Sequence, residues 1–176
     1  GDLVVNQRAV TLTASQHERI YGDTMVLDDA AFTVADLDGD SVLPNGEVID
    51  TVALNSVNGV DVTSTSNAGT YADEIEIIGQ SGSNGFDAGN YNLTYVTSDL
   101  VVNQRSVTLT ALQQERGYGT SLTFDSEAFT VLDMDGDNAL PNGELIETVD
   151  LVSEGGVAQD LIAFPVRYPE NLRIVD

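Results

Sequence analysis

The chain has 176 residues with no cysteine, no tryptophan and one histidine, and its six basic residues, all arginine, stand against 29 acidic ones for a net charge of −23. Those counts exclude a disulfide framework, a thiolate metal site, a cysteine nucleophile, a Schiff-base lysine and a lysine–asparagine isopeptide crosslink. A surface this acidic repels phosphate, which argues against nucleic acid and anionic membranes as partners, and no apolar run reaches the roughly 18 residues of a membrane span.

Hydrophobic residues at 41% against 20% charged ones are enough for packed cores, so the chain reads as folded despite its charge. It opens on Gly1-Asp2-Leu3 without an initiator methionine or a signal-peptide pattern and is expected to be a fragment of something longer.

Self-similarity sets the layout. Asp2-Leu3-Val4-Val5-Asn6-Gln7-Arg8 returns 97 positions later as Asp99-Leu100-Val101-Val102-Asn103-Gln104-Arg105, and the same offset carries Tyr21-Gly22 onto Tyr118-Gly119 and Leu43-Pro44-Asn45-Gly46-Glu47 onto Leu140-Pro141-Asn142-Gly143-Glu144. Most of positions 2 to 60 are repeated in this way, and the match stops near Val157. The reading is therefore two modules: 1–102, with the last strand of a preceding module at 2–7, and 103–176, truncated or carrying a replaced tail after about 157. The second copy is expected to be the less stable and to be short of strands.

In chain order, Val10-Thr11-Leu12-Thr13-Ala14 alternates apolar residues with threonine, which predicts a half-buried strand, and Val107-Thr108-Leu109-Thr110-Ala111 repeats it. Asp28 to Phe32 and Asp125 to Phe129 are the only candidates for a single helical turn. Val48 to Leu54, Tyr71 to Ile78, Tyr91 to Tyr95 and Leu100 to Asn103 are further strands, with Gly79 to Gly85 read as a turn cluster.

With these motifs in this order, namely Tyr21-Gly22-Asp23, Phe32-Thr33-Val34, Leu43 to Glu47, Ala68-Gly69-Thr70-Tyr71 and Gly89 to Tyr95, the chain resembles the MBG-type repeats of the YGX variety. Such repeats stand in tandem in very long bacterial surface and secreted proteins, including filamentous-haemagglutinin-like exoproteins and biofilm adhesins. The resemblance implies a mainly β fold of tandem small modules, β-grasp-like or sandwich-like, with the second copy incomplete. It implies no catalytic residues.

The strongest chemical signal is an acidic loop present twice. Asp36, Asp38, Asp40 and Glu47, and again Asp133, Asp135, Asp137 and Glu144, reproduce the carboxylate spacing of an EF-hand calcium loop. The fit is loose, because glycine stands at the fourth position instead of the sixth and proline at the ninth. Calcium is weighed against an ordinary solvated Asp/Gly/Asn turn. Tyr91 and Tyr95 share a strand face with Leu93 and read as core with hydroxyls at the rim, more than as a sugar platform; Tyr21 and Tyr118 read as packing over a turn that needs Gly22 or Gly119. His17 is replaced by Gln114 in the second copy, so a histidine mechanism would exist at most once.

These readings together make the chain a non-catalytic spacer or stalk segment of a secreted bacterial surface protein, extracellular or on the outer cell surface, whose partners are neighbouring repeats. The alternatives are a module that binds a host or matrix glycan or protein and, less favoured, an acidic hydrolase with convergent carboxylates.

Overall fold

A computed structural model describes residues 1–61 and 63–153, together with the strand backbone of Leu161–Phe164. The divergent tail expected at 158–176 lies outside the described residues except for that strand. The chain forms two compact units, Gly1–Asn103 and Gln104–Asp176.

Unit 1 is built from β1 (Arg8–Ala14), β2 (His17–Ile20), β3 (Phe32–Asp36), β4 (Val48–Ser56), β5 (Gly69–Ser83), β6 (Tyr91–Val96) and β7 (Ser98–Asn103). The alternation along β1 works as expected: Val10, Leu12 and Ala14 are buried and the two threonines face outward. β1 lies between β3, antiparallel, and β6, parallel, and a second sheet runs β2-β7-β5-β4.

Two corners connect the sheets. Ser15 and Gln16 carry the chain from β1 to β2, and Thr97 carries it from β6 to β7. The two paths stay side by side, with β1 parallel to β6 from Arg8↔Tyr91 to Thr13↔Val96 and β2 parallel to β7 from His17↔Leu100 to Ile20↔Asn103. The Ser98 hydroxyl donates to the Ser15 carbonyl at 2.7 Å and ties the corners together.

One core joins the inner faces. Val10, Leu12, Ala14 and Tyr91 from the first sheet cluster with Ile49, Val52, Ile75, Ile77, Leu100 and Val102 from the second. Each fully buried aliphatic side chain contributes about 1.5–3 kcal/mol. The fold is mainly β, as the sequence implies, and two sheets around a shared core correspond to the sandwich-like alternative.

Two local expectations need correction, and one strand was not expected. The single helical turn at Asp28 is instead a tight turn, in which Asp28 accepts from the N–H of Ala30 through its side chain and from that of Ala31 through its carbonyl, and Phe32 then starts β3. The polar His17–Ile20 segment, which carries no apolar alternation, is a strand because β7 offers it a partner. The glycine-rich run after Ile78 continues β5 to Ser83, and the turn is confined to Asn84-Gly85. Gly82 is needed there because a Cβ would lie 2.3 Å from the Val48 carbonyl oxygen and 2.7 Å from the Phe86 ring.

Unit 2 contains β8 (Val107–Ala111), β9 (Phe129–Asp133), β10 (Asp150–Ser153) and β11 (Leu161–Phe164). β8 and β9 pair from Val107↔Asp133 to Ala111↔Phe129, the register of β1 on β3 moved by 97. Ser153 pairs with Leu161 as Ser56 pairs with Ile75, so β11 takes the place of β5 after a shorter connection. Residues 114–117, which correspond to β2, form no strand.

Candidate functional site

Each acidic loop is a turn with fixed backbone geometry. Asp36 ends β3; its N–H donates to the Asp40 carbonyl at 2.7 Å and its own carbonyl accepts from Gly39 at 2.8 Å, with Gly39 at φ +85°. The Asp40 side chain caps the N–H of Val42 at 3.0 Å. Pro44 then sets up a short 3-10 turn in which Asn45 and Gly46 both adopt positive φ, 60° and 75°, conformations that asparagine tolerates and glycine adopts freely. The second copy repeats it, with Asn142 at 58° and Gly143 at 74°.

The carboxylates in these turns face arginine. Arg8, at the start of β1, places Nε 2.7 Å and 2.8 Å from the two oxygens of Asp36, while its Nη2 reaches Asp36 at 2.5 Å and Asp38 at 2.7 Å. Arg105 holds Asp133 with Nε at 2.9 Å from both oxygens and Nη2 at 2.6 Å, and it also bonds Asp135. Such forked contacts are the strong form of the charge-assisted hydrogen bond. The Arg8 bond, seconded by the Leu37 N–H and opposed by burial, holds the Asp36 carboxyl below its usual range, and Arg105 does the same for Asp133.

The remaining expected ligands lie elsewhere in the turn. Asp137 caps Ala139 as Asp40 caps Val42. Glu47 accepts the Tyr91 hydroxyl at 2.5 Å, and burial together with that carboxylate pushes the phenol up to about 12. Glu144 occupies the matching position after Gly143. Among the described residues no three His, Asp or Glu side chains are grouped so as to hold a metal ion.

Other candidates are structural in their contacts. His17 is buried, its Nδ1 2.9 Å from the Ser15 carbonyl, and its Nε2 accepts the Asp28 N–H at 3.2 Å; in the second copy the Gln114 amide oxygen accepts the Asp125 N–H at 2.8 Å. Glutamine thus reproduces the imidazole's acceptor role. Tyr91 stacks on Phe86 with ring centroids 5.4 Å apart, and Tyr95 is partly exposed with its hydroxyl on Gln80. A groove of about 390 Å³ beside Tyr91 is lined by Asn6, Arg8, Asn45, Glu47 and Asn90 among others.

Two groups were missed by sequence reasoning. Arg8 and Arg105 were legible as a pair, being two of only six cations and standing at the repeat offset, yet nothing in one-dimensional spacing says that residues 28 apart meet. Glu74, wholly buried, has no sequence signal. Burial pushes its carboxyl up, and the Ser56 hydroxyl with the N–H groups of Asn58 and Val60 more than offsets this, leaving it below the usual range.

No curated protein and no solved structure matches this chain. The family model of the MBG domain (YGX type) matches residues 10–101, more than half of the chain and nearly all of the strands of unit 1. The chain that carries these arginine-held turns therefore belongs to the MBG domain family of the YGX type.

Proposed function

We propose that the chain is a non-catalytic spacer segment of a large secreted bacterial surface protein, and that its task is to transmit tension between neighbouring repeats outside the cell. The observation that carries this reading is the parallel pairing of the first strands with the last ones in unit 1. A pull between Gln7 and Gln104 loads the β1–β6 and β2–β7 hydrogen bonds along the strands, so that many must break together. Pulling from one end of a strand pair instead opens them one at a time. The Arg8 fork on Asp36 supports the role by fixing the start of β1 to the end of β3.

Because the chain has no cysteine, pulling points can be introduced singly. Gln7→Cys with Gln104→Cys should give a rupture force well above that of Gln7→Cys with Asn90→Cys, which unzips β1 from β6. Each rupture of unit 1 between the first pair should release on the order of 300 Å of chain. Equal forces in the two geometries would remove the mechanical reading.

A second reading, recognition of a glycan or protein, is favoured by the amide-lined groove at Asn6, Asn45 and Asn90. It predicts glycan-array or pull-down signals that Asn45→Ala and Asn90→Ala abolish. Calcium stiffening is a separate proposal about the same turns. It requires a rise in melting temperature from EDTA to millimolar calcium that Asp38→Ala and Asp135→Ala remove. The guanidinium groups of Arg8 and Arg105 supply countercharge to Asp36, Asp38, Asp133 and Asp135, and a calcium ion would share those carboxylates with them.

A further inference from the structure

An asparagine followed by glycine is open to spontaneous deamidation, because glycine has no side chain to hinder the approach of its nitrogen to the asparagine amide carbon. The chain holds four such pairs, beginning at Asn45, Asn58, Asn84 and Asn142. Three of them share one backbone state, with φ of 60° at Asn45, 56° at Asn84 and 58° at Asn142. Asn58 is held differently: its side-chain amide donates to the buried Glu74 carboxylate at 2.7 Å, and the Gly59 N–H donates to the Ser56 carbonyl at 3.1 Å. Asn45 and Asn142, in the turns beside the arginine forks, are exposed, so water reaches them. Geometry is what the reaction lacks there. With ψ at 11° and 14°, the glycine nitrogen is turned away from the asparagine Cβ and cannot reach the amide carbon. Bringing them together takes a large rotation of ψ. That rotation breaks the bond that closes each turn, from the Glu47 N–H to the Pro44 carbonyl and from Glu144 to Pro141, both 3.1 Å.

We propose that Asn45-Gly46 and Asn142-Gly143 are deamidation sites gated by their own turns, inert while the turn is closed and reactive once it opens. In the open turn the glycine nitrogen attacks the asparagine Cγ. The new C–N bond closes a five-membered imide, the bond from Cγ to Nδ2 breaks, and the amide leaves as ammonia with the proton from the glycine N–H. Water then opens the imide at one of its two carbonyls. The product is either aspartate or a β-linked isoaspartate, whose main chain is one carbon longer. In unit 1 that carbon is inserted between Leu43, which is 4% exposed, and Glu47, which accepts the Tyr91 hydroxyl, so the longer turn no longer fits both anchors. A reversible local opening is thereby made permanent.

The full chain carrying Ala68→Gly supplies its own comparator. That change puts glycine after Asn67, which is exposed in unit 1 and is not at positive φ. Deamidation at each site is followed by peptide mass spectrometry in mildly alkaline buffer, with and without urea. In the folded chain Asn45 and Asn142 should react at least about tenfold more slowly than Asn67, and in urea the three rates should converge. Equal rates in the folded chain overturn the proposal. So does slow reaction of Asn45 and Asn142 in urea, which would place the protection in the neighbouring sequence and not in the turn.

Discussion

The two units begin from nearly the same sequence and diverge in how it is covered. β1 and β8 pair with β3 and β9 in one register, yet Val10, Leu12 and Ala14 are buried while Val107, Leu109 and Ala111 are only half-buried. Tyr21 is 3% exposed and Tyr118 is 108% exposed. What differs is the chain that follows. Unit 1 goes on to supply β6 beside β1 and β7 beside β2, and the second copy departs from the repeat before those strands. Strand formation is therefore local, whereas burial of the same residues depends on segments some 80 positions later.

The electrostatic clamp runs the other way. The Arg8 side chain is 31% exposed and that of Arg105 is 5% exposed, with both aspartate partners buried. A turn stapled by a forked arginine needs only β1 and β3, so it is repeated in unit 2, where the described residues hold no counterpart of β2, β6 or β7. The hydrophobic core of unit 1 draws on those later strands.

The largest expected effect follows from the core. Leu12→Ala should cost about 2–5 kcal/mol in denaturant unfolding of the full chain, and Leu109→Ala clearly less, because its site is already half open. Equal losses would break the comparison. Next is the clamp, where Arg105→Ala should destabilise unit 2 more than Arg8→Ala destabilises unit 1, since it leaves Asp133 buried without its guanidinium. The order reverses that of the core variants, and unfolding followed by a probe in each unit reads it. Gly82→Ala should cost about 1–3 kcal/mol in unit 1 through the clash with Val48 and Phe86.

The pH dependence sharpens the comparison. Asp36, Glu74 and Asp133 all have carboxyls held below the ordinary range, so each contributes stability that is present above about pH 4 and lost as pH falls through its lowered value. Acid melts should show this limb in both units, and Asp133→Asn should flatten it in unit 2 alone. Tyr91 has the opposite sign. Its phenol is raised to about 12, so its contribution is present below pH 10 or so and is lost between there and about 12. Tyr91→Phe should remove that alkaline limb from unit 1. The smallest effect is reserved for His17→Gln, expected to cost about 1 kcal/mol or less because Gln114 already accepts the same backbone N–H in the second copy.

The strands whose apolar residues alternate strictly, such as Val10 to Ala14 and Val107 to Ala111, were legible because burial on one face leaves a period of two. β2 was not, since His17-Glu18-Arg19-Ile20 is a strand by virtue of its neighbour β7; Arg19 is buried there by donating to the carbonyls of Val60, Asp23 and Thr63. The end of β5 was hidden by a glycine-rich run that reads as a turn, in which Gly82 serves as clearance for Val48 and Phe86. At the candidate site, the turn and its repetition were visible in Asp36 to Glu47, and the partner was not. Alternating aspartates announce a positive charge nearby without saying whether an ion or an arginine from another strand provides it.

The most direct test of the central claim, that the later strands and not the shared sequence close the core, is native-state hydrogen exchange on the full chain. Amides of Val10 to Ala14 should exchange at least about a hundredfold more slowly than those of Val107 to Ala111, a difference of roughly 2.7 kcal/mol in opening free energy. Equal protection of the two strands would contradict it.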